Sequence, residues 1–145
     1  MSEEVVHLEI AGGVATITLD SPTNRNALSR ALMGGLETSL EAALNDDGAR
    51  LILLTHTGPV FCSGADLKEL RGGGPPGQAS GPGGLVGILK TIWRSPKPVI
   101  ARVGGPTRAG GIGLIAACDM AGTKCVCPVP WLGSMTTGRW VFCCT

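Results

Sequence analysis

Phe61-Cys62-Ser63-Gly64-Ala65-Asp66-Leu67-Lys68-Glu69-Leu70 and Arg108-Ala109-Gly110-Gly111-Ile112-Gly113 decide how this chain is read. Each stretch follows a hydrophobic run rich in β-branched residues, and each places small residues where a helix would begin. A helix start leaves backbone N–H groups without partners inside the helix. Two such starts, reached from separate strand-to-helix turns, could hold one carbonyl oxygen between them as negative charge develops on it. The pattern points to acyl-transfer or enolate chemistry.

Working outward, Val5–Ile10 and Val14–Leu19 flank Ala11-Gly12-Gly13 and read as a β-hairpin, because the second run alternates as a half-buried strand does. Asp20-Ser21-Pro22-Thr23-Asn24 is a loop. Leu28, Leu32, Leu36, Leu40 and Leu44 recur every fourth residue, with Ala31 and Ala43 beside them, and predict a helix. Ser29 and Asn26 compete for its N-cap, and Asn45-Asp46-Asp47-Gly48 ends it. Leu51-Ile52-Leu53-Leu54 reads as a strand covered on both faces.

Residues 71–84 carry seven glycines and three prolines in 14 positions and read as a mobile loop. Leu85–Arg94 predicts a short amphipathic helix, stopped by Ser95-Pro96-Lys97-Pro98, and Val99–Val103 another strand. Gly110–Ala121 is apolar on nearly every side, which predicts a buried helix. The order β-β-α-β-α-α-β-α argues an α/β domain with crossover connections. Residues 122–145 break the pattern: they hold no acidic residue, four of the six cysteines and two of the three tryptophans.

At 145 residues the chain is long enough for one domain. Hydrophobic content of 43% and charged content of 16% place it in the globular class. A formal net charge of +1 gives no reason to expect nucleic acid or an anionic membrane as partner. The acidic start Met1-Ser2-Glu3-Glu4 does not read as a secretory signal, and no apolar run is long enough to span a bilayer, so a cytoplasmic protein with free thiols is expected.

Asn26-Ala27-Leu28, Phe61 to Lys68, Lys97-Pro98-Val99-Ile100-Ala101, Ala109 to Leu114 and Cys118-Asp119, taken in this order and spacing, resemble the enoyl-CoA hydratase/isomerase (crotonase) family over roughly residues 4–121. The resemblance implies a crotonase-like superhelix of ββα units, usually assembled as homotrimers or hexamers. It implies an acyl-CoA thioester as substrate, with coenzyme A part of that substrate and no separate cofactor. Carried onto this chain, the N–H groups of Ala65 and Gly110 would hold the thioester oxygen. Ala65-Asp66-Leu67-Lys68 would lie along the CoA moiety, and Lys68 would face a phosphate or solvent; Arg25 and Arg71 read as solvated loop charges.

The departures are specific. Hydratases of the family typically carry a glutamate where this chain has Gly113, and a second one further on, in a stretch that falls here within the acid-free tail. Gly104-Gly105-Pro106 replaces the family's usual Asn/Asp-Gly-His/aromatic turn. Without either glutamate, a chain that binds CoA esters is expected to be catalytically weak or inactive, because hydration needs a carboxylate to move protons. At about half a member's length, the chain is expected to be truncated: residues 1–121 form the crotonase-like core with 72–84 as a flexible loop, and 122–145 form a tail that is out of frame or disordered.

Two other readings compete. One is a non-catalytic fragment or scaffold. The other is a dinucleotide-binding domain, since Gly111-Ile112-Gly113-Leu114-Ile115-Ala116 fits G-x-G-x-x-A, although its first glycine lies well beyond the strand. Glu69 is expected to cap or solvate its own helix, and His7 and His56 show no obvious partner. Cys125, Cys127, Cys143 and Cys144 fit no common zinc spacing, so no metal is expected.

Overall fold

The structure, a computed structural model, describes residues 4–71, 84–123 and 141–142. The chain runs β1 (Val6–Ala11), β2 (Val14–Leu19), a 3-10 turn (Pro22–Asn24), α1 (Arg30–Asn45), β3 (Leu51–His56), α2 (Leu67–Arg71), α3 (Gly84–Trp93), β4 (Val99–Val103), α4 (Gly110–Ala117), β5 (Met120–Thr123) and β6 (Val141–Phe142). The six strands form one sheet in sequence order. β1 and β2 are antiparallel, and every later neighbour is parallel.

The hairpin turn has positive φ at both Gly12 (58°) and Gly13 (84°), the geometry that matches strand twist. In β2, Ala15, Ile17 and Leu19 are fully buried on the core side, as their alternation requires. From α1, Leu32, Leu36, Leu40 and Ala43 meet Ile52 and Leu54 of β3, Val99 and Ala101 of β4, and Ile88 and Ile92 of α3 in one core. Ser29 is the N-cap of α1: its Oγ accepts from the Leu32 N–H at 3.2 Å. At the other end, the Lys97 ammonium donates to the carbonyls of Ala43 and Asp46 at 2.8 and 2.6 Å, a cation on the helix's negative pole.

Asn26 is not a cap. It is fully buried at a φ of 50°; its Oδ1 accepts from Ser21 N at 2.7 Å, and its Nδ2 donates to the carbonyls of Thr57 and Val60 at 3.2 and 2.9 Å. This side chain staples the loop before α1 to the exit of β3.

The expectation of a buried helix over Gly110–Ala121 is corrected. α4 ends at Ala117, and Met120–Thr123 forms a strand beside β4. The cause is nonlocal. Cys118 turns extended at ψ 156°, Asp119 N donates to Val99 O at 2.8 Å, and the Asp119 carboxylate accepts from Val99 N at 2.9 Å. Nor is α4 buried all round: Gly111, Leu114 and Ala117 face the core, while Ile112 is 52% exposed. The loop expected over 72–84 lies outside the described residues except for Gly84, which opens α3; of the tail, Gly122 and Thr123 complete β5, and Val141–Phe142 pairs with Ala121 and Gly122.

His7 has a partner after all. Its Nε2 lies 3.0 Å from the Asp20 carboxylate, which also accepts a short hydrogen bond from the Thr57 hydroxyl. The Thr57 bond first, and His7 second, hold the Asp20 carboxyl below its ordinary 3.8. A depressed folded pKa contributes stability that is complete above 3.8 and is lost as the pH falls through the lower folded value.

Two outcomes follow. Leu36→Ala, which empties a fully buried site, is expected to cost about 2–5 kcal/mol in urea unfolding. Asp20→Asn is expected to lower Tm near neutral pH, with the gap from wild type closing as the pH drops below about 4.

Candidate functional site

Beyond the sheet, three connections run side by side. After β3, Phe61 is fully buried, with its ring edge-on to His56 at 5.3 Å, and its N–H donates to Pro106 O at 3.1 Å. Cys62 pairs with Thr107 in a parallel bridge, and Arg108 N donates to Cys62 O at 2.9 Å. On the other side Ser63 N donates to Arg25 O at 3.1 Å and Leu28 N to Gly64 O at 2.8 Å, with Leu28 bridged to Ala65. The segments after β2, β3 and β4 are thus lashed together by backbone bonds.

This brings the two corners into contact. A Cβ placed on Gly64 would lie 3.0 Å from the Ala109 Cβ and 3.3 Å from Arg108 O. Gly64 has a φ of 94°, Ala109 has a φ of 47° and ψ of −119°, and each immediately precedes a donor, Ala65 or Gly110. Among the described residues neither the Ala65 N–H nor the Gly110 N–H donates to a protein acceptor. Ala65 is exposed and Gly110 half-buried.

The glycines of α4 serve packing. A Cβ on Gly110 would meet Leu28 Cδ1 at 2.6 Å and Leu85 Cδ2 at 3.0 Å; one on Gly111 would meet Cys62 Cβ at 2.6 Å and Thr107 Cγ2 at 2.8 Å. Gly111 therefore sits inside the first helical turn, filled by Cys62, and offers no turn for a pyrophosphate; this corrects the dinucleotide reading. At Gly113 the nearest atom to an added Cβ is Leu89 Cδ1 at 3.4 Å, ordinary contact, so the fold does not exclude a side chain there.

In the Ala65–Lys68 segment, Asp66 Oδ1 accepts from Lys68 N at 2.8 Å and Glu69 N at 3.4 Å, capping α2. Leu67 is 66% exposed, and Lys68 is exposed with no ion pair among the described residues. Glu69 departs from expectation: its carboxylate accepts from Arg30 N at 3.1 and 3.2 Å, so it lies on the N-terminus of α1 rather than serving its own helix.

His56 Nε2 accepts from Gly104 N at 2.9 Å, which leaves Nδ1 to donate to Thr57 O at 3.2 Å. It anchors the turn where Gly105 comes so close to Pro59 O that an added Cβ would sit 2.1 Å away. Cys62 and Cys118 are both buried, the Cys118 thiol donating to Leu114 O at 3.1 Å; the other four cysteines lie outside the described residues. Burial pushes the Cys62 thiol up, the Gly64 N–H offsetting this in part. Among the described residues no cluster of His, Cys, Asp and Glu could hold a metal, and no helix is long and apolar enough to cross a membrane.

Two features of this site carried no sequence signal that was read. The Asn26 staple involves residues more than 30 positions away, and an alanine, unlike a glycine, does not announce a positive φ.

The geometry has known counterparts. The family model for enoyl-CoA hydratase/isomerase matches residues 9–124. The chain is 34% identical over 116 residues to rat enoyl-CoA hydratase domain-containing protein 3, mitochondrial, covering 75% of this chain and 37% of that protein. It is 37% identical over 110 residues to a probable enoyl-CoA hydratase of Mycobacterium tuberculosis (strain CDC 1551 / Oshkosh), covering 76% and 43%. Among solved structures, a putative enoyl-CoA hydratase/isomerase (crotonase) from Legionella pneumophila superposes with a TM-score of 0.75 at 32% identity, covering 84% of this chain and 48% of that one. An enoyl-CoA hydratase from Mycobacterium avium gives 0.69 at 37%, covering 83% and 47%. The chain thus spans less than half the length of these proteins. With the family model matching most of the chain, it belongs to the enoyl-CoA hydratase/isomerase (crotonase) family.

Proposed function

We infer that this chain binds acyl-CoA thioesters, with the thioester oxygen accepting from the N–H groups of Ala65 and Gly110. The observation that supports this most is the contact between the corners: the residues preceding the two donors touch, and neither donor has an acceptor among the described residues. A pair of fixed donors with no internal partner suits an oxygen whose charge grows as an enolate forms. The CoA moiety lies along Ala65-Asp66-Leu67-Lys68, where the exposed Lys68 ammonium can meet a phosphate. Asp66 shapes that segment by capping α2 and takes no part in proton transfer.

Hydration or double-bond isomerisation also needs a group that moves protons at carbon. The two carboxylates beside the first corner are engaged, Asp66 in its own cap and Glu69 at the N-terminus of α1, and Gly113 has no side chain to offer. The reading is therefore of thioester binding with weak or absent turnover, a polarising half-site without its acid–base partner.

Calorimetric titration with butyryl-CoA, a saturated thioester that cannot be hydrated, is expected to show saturable binding. Ala65→Pro removes one donor that bonds nothing in the chain, and the preceding Gly64 has no Cβ to clash with the ring. It is expected to weaken binding about fivefold, the worth of one hydrogen bond of ~1 kcal/mol, with Tm little changed. No heat with wild type, or equal affinity for both proteins, would sink the two-donor reading.

Turnover is tested separately by following the conjugated enoyl absorbance of crotonyl-CoA. Loss at a rate near the uncatalysed background is expected, and a rate like that of a full-length hydratase would refute the role given to the missing carboxylates.

A further inference from the structure

At both corners the residue before the donor has a positive φ, but the two residues are not alike. Gly64 reaches 94° with no Cβ to strain, whereas Ala109 carries one at φ 47° and ψ −119°, a combination that L-residues rarely adopt and that costs energy to hold. We propose that Ala109 is a positioning residue: its strained backbone fixes the orientation of the Ala109–Gly110 peptide and keeps the Gly110 N–H aimed at the ligand oxygen. This rests on the thioester reading above and adds to it the device that aims one of the two donors.

Bonds on both sides hold the strain in place. Upstream, Arg108 N donates to Cys62 O at 2.9 Å. Downstream, the carbonyls of Arg108 and Ala109 accept from Gly111 N and Ile112 N, each at 3.0 Å, so the first turn of α4 grips the same two residues. Across the cleft the Ala109 methyl lies against Gly64, where even one added carbon would come within 3.0 Å.

The alanine then has a purpose that a glycine would not serve. Glycine adopts this conformation without cost, but it adopts many others equally well. A glycine at 109 would relieve the strain and at the same time remove the methyl contact that limits rotation of the peptide. The donor would be correctly aimed for only part of the time, and apparent affinity falls with the competent fraction. Stability and binding are therefore expected to move in opposite directions, which a merely structural residue would not cause.

The test is Ala109→Gly in the full chain, with three readings: Tm, the Kd for butyryl-CoA by calorimetry, and the Gly110 and Ala65 amide signals in a proton–nitrogen spectrum. The expected result is a Tm at or above wild type, a Kd weaker by roughly two- to fivefold, at most the worth of one lost donor, and a Gly110 signal broadened while Ala65 keeps its width. An unchanged Kd overturns the proposal, and so does a weaker Kd accompanied by a lowered Tm. If wild type itself gives no heat and neither amide shifts on addition of butyryl-CoA, the thioester reading fails and takes this proposal with it. If wild type binds and the variant binds equally, only the positioning role fails.

Discussion

Two backbone hydrogen bonds carry the organisation of this molecule: Leu28 N to Gly64 O and Arg108 N to Cys62 O, at 2.8 and 2.9 Å. They join the connections after β2, β3 and β4 into a short ladder beyond the end of the sheet. Loops at the C-terminal edge of a parallel sheet are ordinarily independent of each other, and that is where α/β proteins place ligands. Here the loops are bonded main chain to main chain, so the two corners are set by backbone geometry rather than by the rotamers of long side chains. The bonds form only because glycine stands at the close approaches, as at Gly105 against Pro59 O and Gly111 against Cys62.

Polar side chains finish the work at the points where the ladder leaves the sheet. Asn26 satisfies Ser21, Thr57 and Val60 from a fully buried position, His56 accepts from Gly104, and Asp119 ties Val99 to the start of β5. The bonds of Asn26 and Asp119 lie at part-buried sites, where a backbone group left unpaired costs about as much as a lost hydrogen bond. These side chains build the frame of the site and are not its reagents. The carboxylates nearest the two corners, Asp66 and Glu69, are used in the same way, on helix termini.

The elements legible in the sequence are those with a local physical signature. Alternation identified β2, a four-residue leucine repeat identified α1, and apolar runs between turn residues identified β3 and β4; all four hold, with ends shifted by at most two residues. Ala65 and Gly110 were legible as small residues at helix starts, and the structure brings them to abutting corners. The end of α4 was not legible, because a segment apolar on every side has no period, and its stop is made by Asp119 reaching Val99, twenty positions back. Glu69 was assigned to the wrong helix for the same reason: its partner, Arg30 N, is 39 residues away.

The sequence by itself determined the α/β order, the family, the pair of candidate donors and the absence of a carboxylate at Gly113, since these depend on residue types and on spacing along the chain. Only the tertiary structure decided that the corners touch, that Asp66 and Glu69 are engaged elsewhere, and that an alanine rather than a glycine takes the strained position at 109. Those facts depend on bonds between residues far apart in the chain. Such a bond forms when the folded core brings its two ends together, and no local pattern of residues records it.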